Sequence, residues 1–95
     1  TGLSGRTSIN DNFAMVFPYN NELPIFWMKD MLMPIDIIWV DSAKKVIKID
    51  SNLLPDDGKT LYETTTPISW VIEIAAERAQ KCNIMRDDQV TGLLP

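Results

Sequence analysis

The run PIDIIWVDSAKKVIKID, residues 34–50, constrains this chain more than any other. Its first half is β-branched and aromatic, interrupted by Asp36, and its second half alternates apolar with charged residues. Only the short polar stretch Ser42-Ala43-Lys44 separates the two. Two such runs joined by a short turn make an antiparallel hairpin, so the fold must be built outward from a sheet. Similar runs recur along the chain: FAMVF (residues 13–17), ended by Pro18, and IFWM (residues 25–28). LYETTT reads as an edge-type strand, WVIEI as a strand, and DDQVTGLLP as a last short strand. AAERAQKC consists of helix formers and predicts a short helix near residues 75–82. One continuous helix from Pro67 to Cys82 is the alternative, and the β-rich WVIEI favours strand followed by helix. The sum is an α+β chain, mainly antiparallel β. It is expected to be a small rolled sheet or partly closed barrel of about six short strands with one or two short helices. At 95 residues there is room for a single domain. A domain of that size buries only about 60–65% of its unfolded surface, so its core must be efficient.

Strand residues alternate between faces. Ile35, Ile37 and Trp39 share one face, and Asp36 sits on the other with Ile38 and Val40. In SWVIEIA, Trp70, Ile72 and Ile74 share a face, and Glu73 lies opposite with Val71 and Ala75. A lone buried carboxylate costs several kcal/mol unless it is paired or neutralised, on the order of the penalties measured for buried ions. Asp36 and Glu73 therefore need partners. Arg6 and Lys29 are the cationic candidates, and an Arg6 fork on a carboxylate would pin the N-terminal segment to the sheet. A proton shared between Asp36 and Glu73 would instead make a carboxyl pair of the kind hydrolases use.

The rings and the sulfur residues pose a similar choice. If Phe26 and Met28 face the core, Trp27 is exposed beside Lys29 and is available to stack on a ligand. The five methionines read as core fillers rather than soft-metal ligands, and Cys82 as a packing residue.

Composition removes several functions. The chain has no histidine and one cysteine, so the commonest neutral-pH base, an intrachain disulfide and a thiolate zinc site are all missing. The acids of DSNLLPDDG do not fit the EF-hand loop pattern and read as a solvated loop. No metal and no cofactor are expected. The net charge of −4, with Lys44-Lys45 as the longest basic run, argues against nucleic acid and against an anionic membrane surface. No apolar run reaches the length needed to span a bilayer, so no membrane insertion is expected. The chain is expected to be monomeric.

Several stretches, in order, resemble one family: GLSGR, AMVF, FWMKDM, PIDIIWVD, WVIEI and QV. The chain resembles the domain of unknown function 192 family of small prokaryotic proteins over nearly its whole length. On that resemblance Gly2, Leu3, Arg6, Phe17, Trp27, Met28, Lys29, Pro34, Asp36 and Glu73 occupy motif positions. It implies a β-rich domain and, because many members carry export signals, an extracytoplasmic (periplasmic or secreted) setting. It implies no reaction. Three family glycines are replaced, by Ala14, Glu77 and Asp87, where glycine often serves positive φ. The family's Asn-Thr after the lysine is Asp30-Met31.

Three functions follow, in order of preference. The first is a non-enzymatic binding module for a polar ligand, a glycan or peptide, held around Arg6, Trp27, Lys29, Asp36 and Glu73. The second is a structural or accessory domain for a partner protein, and it predicts an exposed apolar patch. The third is a small hydrolase using an Asp36/Glu73 carboxylate pair, and it requires both acids in one cleft. Catalysis is the less favoured of these expectations.

Overall fold

The structure, a computed structural model, describes residues 14–28, 33–55 and 60–90. In chain order the elements are β1 (Ala14–Glu22), β2 (Phe26–Trp27), β3 (Ile35–Val40), β4 (Val46–Leu53), β5 (Leu61–Tyr62), β6 (Ile68–Ala75) and α1 (Arg78–Lys81). Four of the strands form an antiparallel sheet in the order β1-β6-β3-β4, and β2 and β5 form a separate antiparallel ribbon. The expected β-rich α+β fold is what forms. The sheets are not closed into a barrel, because β1 and β4 remain the two edges of the larger one.

β3 is buried along its whole length, including Asp36. It lies between β6 and β4, and each face of the sheet carries its own apolar layer. On the first face Ile35, Ile37 and Trp39 pack with Val71 and Met28, and Phe26 and Tyr62 of the ribbon close over them. Phe26 sets its edge against Trp39 at 5.5 Å and 76°, and meets Tyr19 at 6.2 Å and 87°. Such edge-to-face pairs contribute about 0.5–1.5 kcal/mol beyond area burial. On the second face Ile38, Val40, Val46, Trp70 and Ile74 pack with Ala79 of α1, and Ile84 and Val90 complete the layer.

The β3–β4 hairpin forms as the sequence predicts. Lys44 takes φ 65 at its turn, and Asp41 Oδ1 accepts hydrogen bonds from the N–H groups of Ala43 (3.0 Å) and Lys45 (2.9 Å). An Asp side chain that bonds its own turn in this way fixes where the next strand starts.

Several expectations need correction. β1 does not stop at Pro18 but runs to Glu22, with Pro18 directly opposite Trp70. An edge strand tolerates proline because one row of its backbone groups makes no ladder bonds. β4 does not alternate simply. A register irregularity between Val46 and Lys48 puts Val46 and Ile49 in the same apolar layer, and turns Lys48 and Asp50 to the face of Trp39 and Ile37. A bulge adds one residue to one strand and resets the alternation beyond it. The expected final strand is, among the described residues, one bridge between Lys45 and Gln89. Cys82 is not a packing residue; it is exposed at the end of α1.

Candidate functional site

Asp36 is fully buried, and its partners are backbone N–H groups. Oδ1 accepts from Asn52 at 2.7 Å and from Glu77 at 3.1 Å, and Oδ2 accepts from Ala79 at 2.9 Å. One carboxylate thus ties three pieces together: the central strand, the bend of β4 at Asn52 (φ 56), and the first turn of α1. α1 has no cap from a side chain of its own N-cap residue, Glu77. Asp36 supplies that bond from 43 positions away, satisfying a donor that the helix start would leave orphaned. Both oxygens are occupied and shut off from solvent, so Asp36 holds these parts of the fold together.

Glu73 is also buried, at 6% exposure. It sits directly opposite Ile37, whereas Asp36 sits opposite Ile74. Neighbours across a ladder share a face, so the two acids project from opposite sides of the sheet. A shared proton or a joint cleft between them is excluded by that register. Glu73 lies on the Trp39 face, near Tyr19. Burial, and then the negative charges of Glu22 and Glu73, push the Tyr19 phenol above its ordinary value of 10.0. Arg6 and Lys29 lie outside the described residues, as do Asp56 and Asp57 of the acidic loop.

Trp27 is exposed, and it lies on the outer side of the β2–β5 ribbon, opposite Leu61. Phe26 and Met28 turn inward, as their alternation with Trp27 predicts.

The fullest polar arrangement in the described residues lies elsewhere. Trp39 is fully buried and donates its indole N–H to Asp50 Oδ2 at 2.8 Å. Asp50 also pairs with Lys48 Nζ at 3.3 Å. The ammonium stands 5.6 Å from the Trp39 ring centroid and donates to the Glu63 carbonyl at 2.6 Å. Lys48 is therefore held in one orientation by a carboxylate, a carbonyl and a ring face. It borders an open groove of about 440 Å³, which Lys45, Arg86, Glu63, Asp87 and the Thr64-Thr65-Thr66 run also line.

Three cations (Lys45, Lys48, Arg86) face three acids (Asp41, Glu63, Asp87) around this groove, so its lining is balanced in charge. The segments around it are tied by one backbone–backbone bond and two side chain–backbone bonds. Asp87 N–H donates to the Val46 carbonyl at 2.7 Å, Met85 N–H to Asp88 Oδ2 at 2.8 Å, and Gln89 Nε2 to the Ala43 carbonyl at 2.7 Å. Sequence reasoning missed this site. Lys48 and Asp50 read there as ordinary alternation, and only a recognised bulge would have placed them beside Trp39. Among the described residues, no cluster of His, Cys, Asp and Glu side chains could hold a metal ion, and no helix is long and apolar enough to cross a membrane.

A sheet of this order, with its helix cap drawn from the central strand, defines a small β-rich domain with a polar groove at one sheet edge. The chain belongs to the DUF192 family, described as "Uncharacterized ACR", whose model matches residues 1–92. A protein of unknown function from Novosphingobium aromaticivorans has a similar structure, with TM-score 0.86 and 31% identity. The match covers 93% of this chain, which spans 63% of that protein, less than two thirds of its length. A Sinorhizobium meliloti protein with a provisional assignment as a transcription regulator is similar at TM-score 0.86 and 21% identity, over 93% of this chain and 68% of that one. At that identity the likeness shows the fold alone. No curated protein matches the chain.

Proposed function

We propose that this domain is a non-enzymatic binding module that takes a polar ligand, a glycan or a peptide, in the groove beside Lys48. The observation that carries the reading is the groove itself: three threonines, three cations and three acids around one opening, with Lys48 immobilised in advance. Balanced charge suits a ligand with both donors and acceptors better than a phosphate, which would call for a surplus of cations. A preset side chain lowers the ordering cost of binding. The setting outside the cytoplasm rests on the family's export signals and enters here as part of the proposal. A backbone amide NMR titration of the labelled chain, with pools of neutral oligosaccharides and mixed-charge peptides, tests the site. Shifts are expected at Lys45, Lys48, Thr64–Thr66 and Arg86. Groove amides unmoved by every pool would refute the reading.

A second reading, an accessory domain serving a partner protein, is favoured by one observation. Leu23, Ile25, Trp27 and Leu61 are all more than half exposed.

A further inference from the structure

The larger sheet has two edges, β1 and β4. β1 is blunted by Pro18, which has no N–H, and by Asn21 at φ 55 near its end. β4 is open over one window. At Val46 its outer side is taken by bonds to Asp87 and Asp88. At Asn52 the strand bends, with φ 56, and turns its N–H to Asp36. Among the described residues, no strand pairs with the outer side of residues 47–51 between those two points. Space borders this window along the strand. The groove lies at Ile47 and Lys48, and a cavity of about 320 Å³ lies at Ile49 and Ser51.

An unpaired edge is a template for another strand, and the charges of β4 select which strand. Lys48, Ile49 and Asp50 pair in regular register with Trp39, Ile38 and Ile37. A second copy can add its own β4 antiparallel about a twofold axis. Residues opposite each other share a face, so such a ladder centres on one residue that meets its own copy. Centred on Lys48 it sets ammonium against ammonium, and centred on Asp50 it sets carboxylate against carboxylate. Like charges directly opposite are destabilising. Centred on Ile49, it sets Lys48 of each copy against the partner's Asp50, and Ile49 meets the partner's Ile49 on the other face. Ile49 is also the midpoint of residues 47–51, so the charge register and the open window agree. Lys48 and Asp50 of one copy already lie 3.3 Å apart, and the two copies close a ring of four alternating charges.

We propose that the open edge of β4 is the interface of a homodimer, in which two copies pair antiparallel about Ile49 and join their four-stranded sheets into one. The dimer replaces the monomer expected from the sequence, and it does not rest on the groove reading above. The ladder is short against the roughly 800 Å² per partner of a standard interface, so the association is weak, with a dissociation constant of about 10–1,000 μM.

Sedimentation equilibrium of the full chain, from about 10 μM to about 1 mM, is expected to show a reversible dimer that weakens with salt. Lys48→Glu sets acid against acid at both charge pairs and should weaken association about tenfold or more. Crosslinking reads the register. In a Cys82→Ser background, Ile49→Cys should oxidise to a covalent dimer, because the two residues face each other. Ser51→Cys should not, because its two copies lie about 13 Å apart along the ladder, beyond the reach of a disulfide. The amide spectrum checks that each variant folds. If Ile49→Cys does not, Lys48→Glu carries the test, since that side chain is partly exposed. A chain still monomeric at about 1 mM would overturn the proposal. A dimer indifferent to Lys48→Glu, or one crosslinked through Ser51→Cys faster than through Ile49→Cys, would overturn it as well.

Discussion

Replacing Asp36 by Asn tests the most tightly determined group in the molecule. The carboxylate accepts three backbone N–H bonds, two at Oδ1 and one at Oδ2. An amide of the same shape keeps one oxygen. With that oxygen facing Asn52 and Glu77, the NH2 group is set against the Ala79 N–H, and two donors are left without acceptors. Each unsatisfied buried donor costs about 1–3 kcal/mol, and the bonds that remain lose the strengthening of a charged acceptor. Asp36→Asn is therefore expected to lower stability by about 2–5 kcal/mol, a large share of the roughly 5–15 kcal/mol of a typical domain. The damage should concentrate at α1. Its four residues are too few to hold helical structure without tertiary support. Urea unfolding gives the total, and amide hydrogen exchange at Ala79 and Cys82 gives its location. A variant within about 0.5 kcal/mol of the parent, inside the range of ordinary surface substitutions, with Ala79 equally protected, would refute the role assigned to this carboxylate.

Asp50→Ala should cost about 1–3 kcal/mol, because it leaves the fully buried Trp39 N–H without its acceptor, and urea unfolding reads the difference. Glu77 holds φ 69 at the entry to α1, so Glu77→Gly relieves left-handed strain and should stabilise by about 0.5–1 kcal/mol net of glycine's entropy. Glu77→Gln keeps the Cβ and removes only the charge, so a thermal midpoint for it as high as for the glycine variant would refute strain as the cause. The Tyr19 phenol should titrate above its ordinary value, read by phenolate absorbance, and Glu22→Gln should bring it down. Because the unfolded phenol ionises first, the stability tied to Tyr19 is complete below its unfolded value of 10.0 and is lost as pH rises from there through the raised folded value.

What was legible in the sequence was local. The hairpin at residues 34–50 could be read because β-branched content, period-two alternation and a polar turn agree there. The same alternation placed Asp36 and Glu73 in buried strands and turned Trp27 outward. The partners of the acids were not legible. Asp36 is satisfied by amides at positions 52, 77 and 79, and nothing in the residue types at those positions marks them, since every non-proline residue carries the same donor. The register of β6 on β3 fixes which face each acid takes relative to the other, and that register is not written in any single run. The groove stayed hidden for a third reason. It is assembled from one hairpin and two loops, and the bulge that brings Lys48 over Trp39 has no glycine to announce it.

Asp87 connects the fold to the proposed function. It holds φ 73, a conformation that costs a residue with a Cβ about 1–2 kcal/mol. The backbone turn is kept all the same: Asp87 N–H still bonds the Val46 carbonyl at 2.7 Å, and Asp88 still closes the turn on Met85. The left-handed turn thus places the Asp87 carboxylate in the groove lining, beside Asp41 and Glu63. Asp87→Gly should raise stability by about 0.5–1 kcal/mol, after glycine's greater unfolded entropy is set against the relieved strain, and so raise the midpoint by roughly 2–8 °C. It should also leave three groove cations facing two acids, so that anionic peptides bind more tightly and their affinity falls more steeply with salt. A variant that gains stability while its ligand preference stays unchanged would confine Asp87 to the backbone turn. A variant that changes preference without gaining stability would show that the left-handed turn carries no strain.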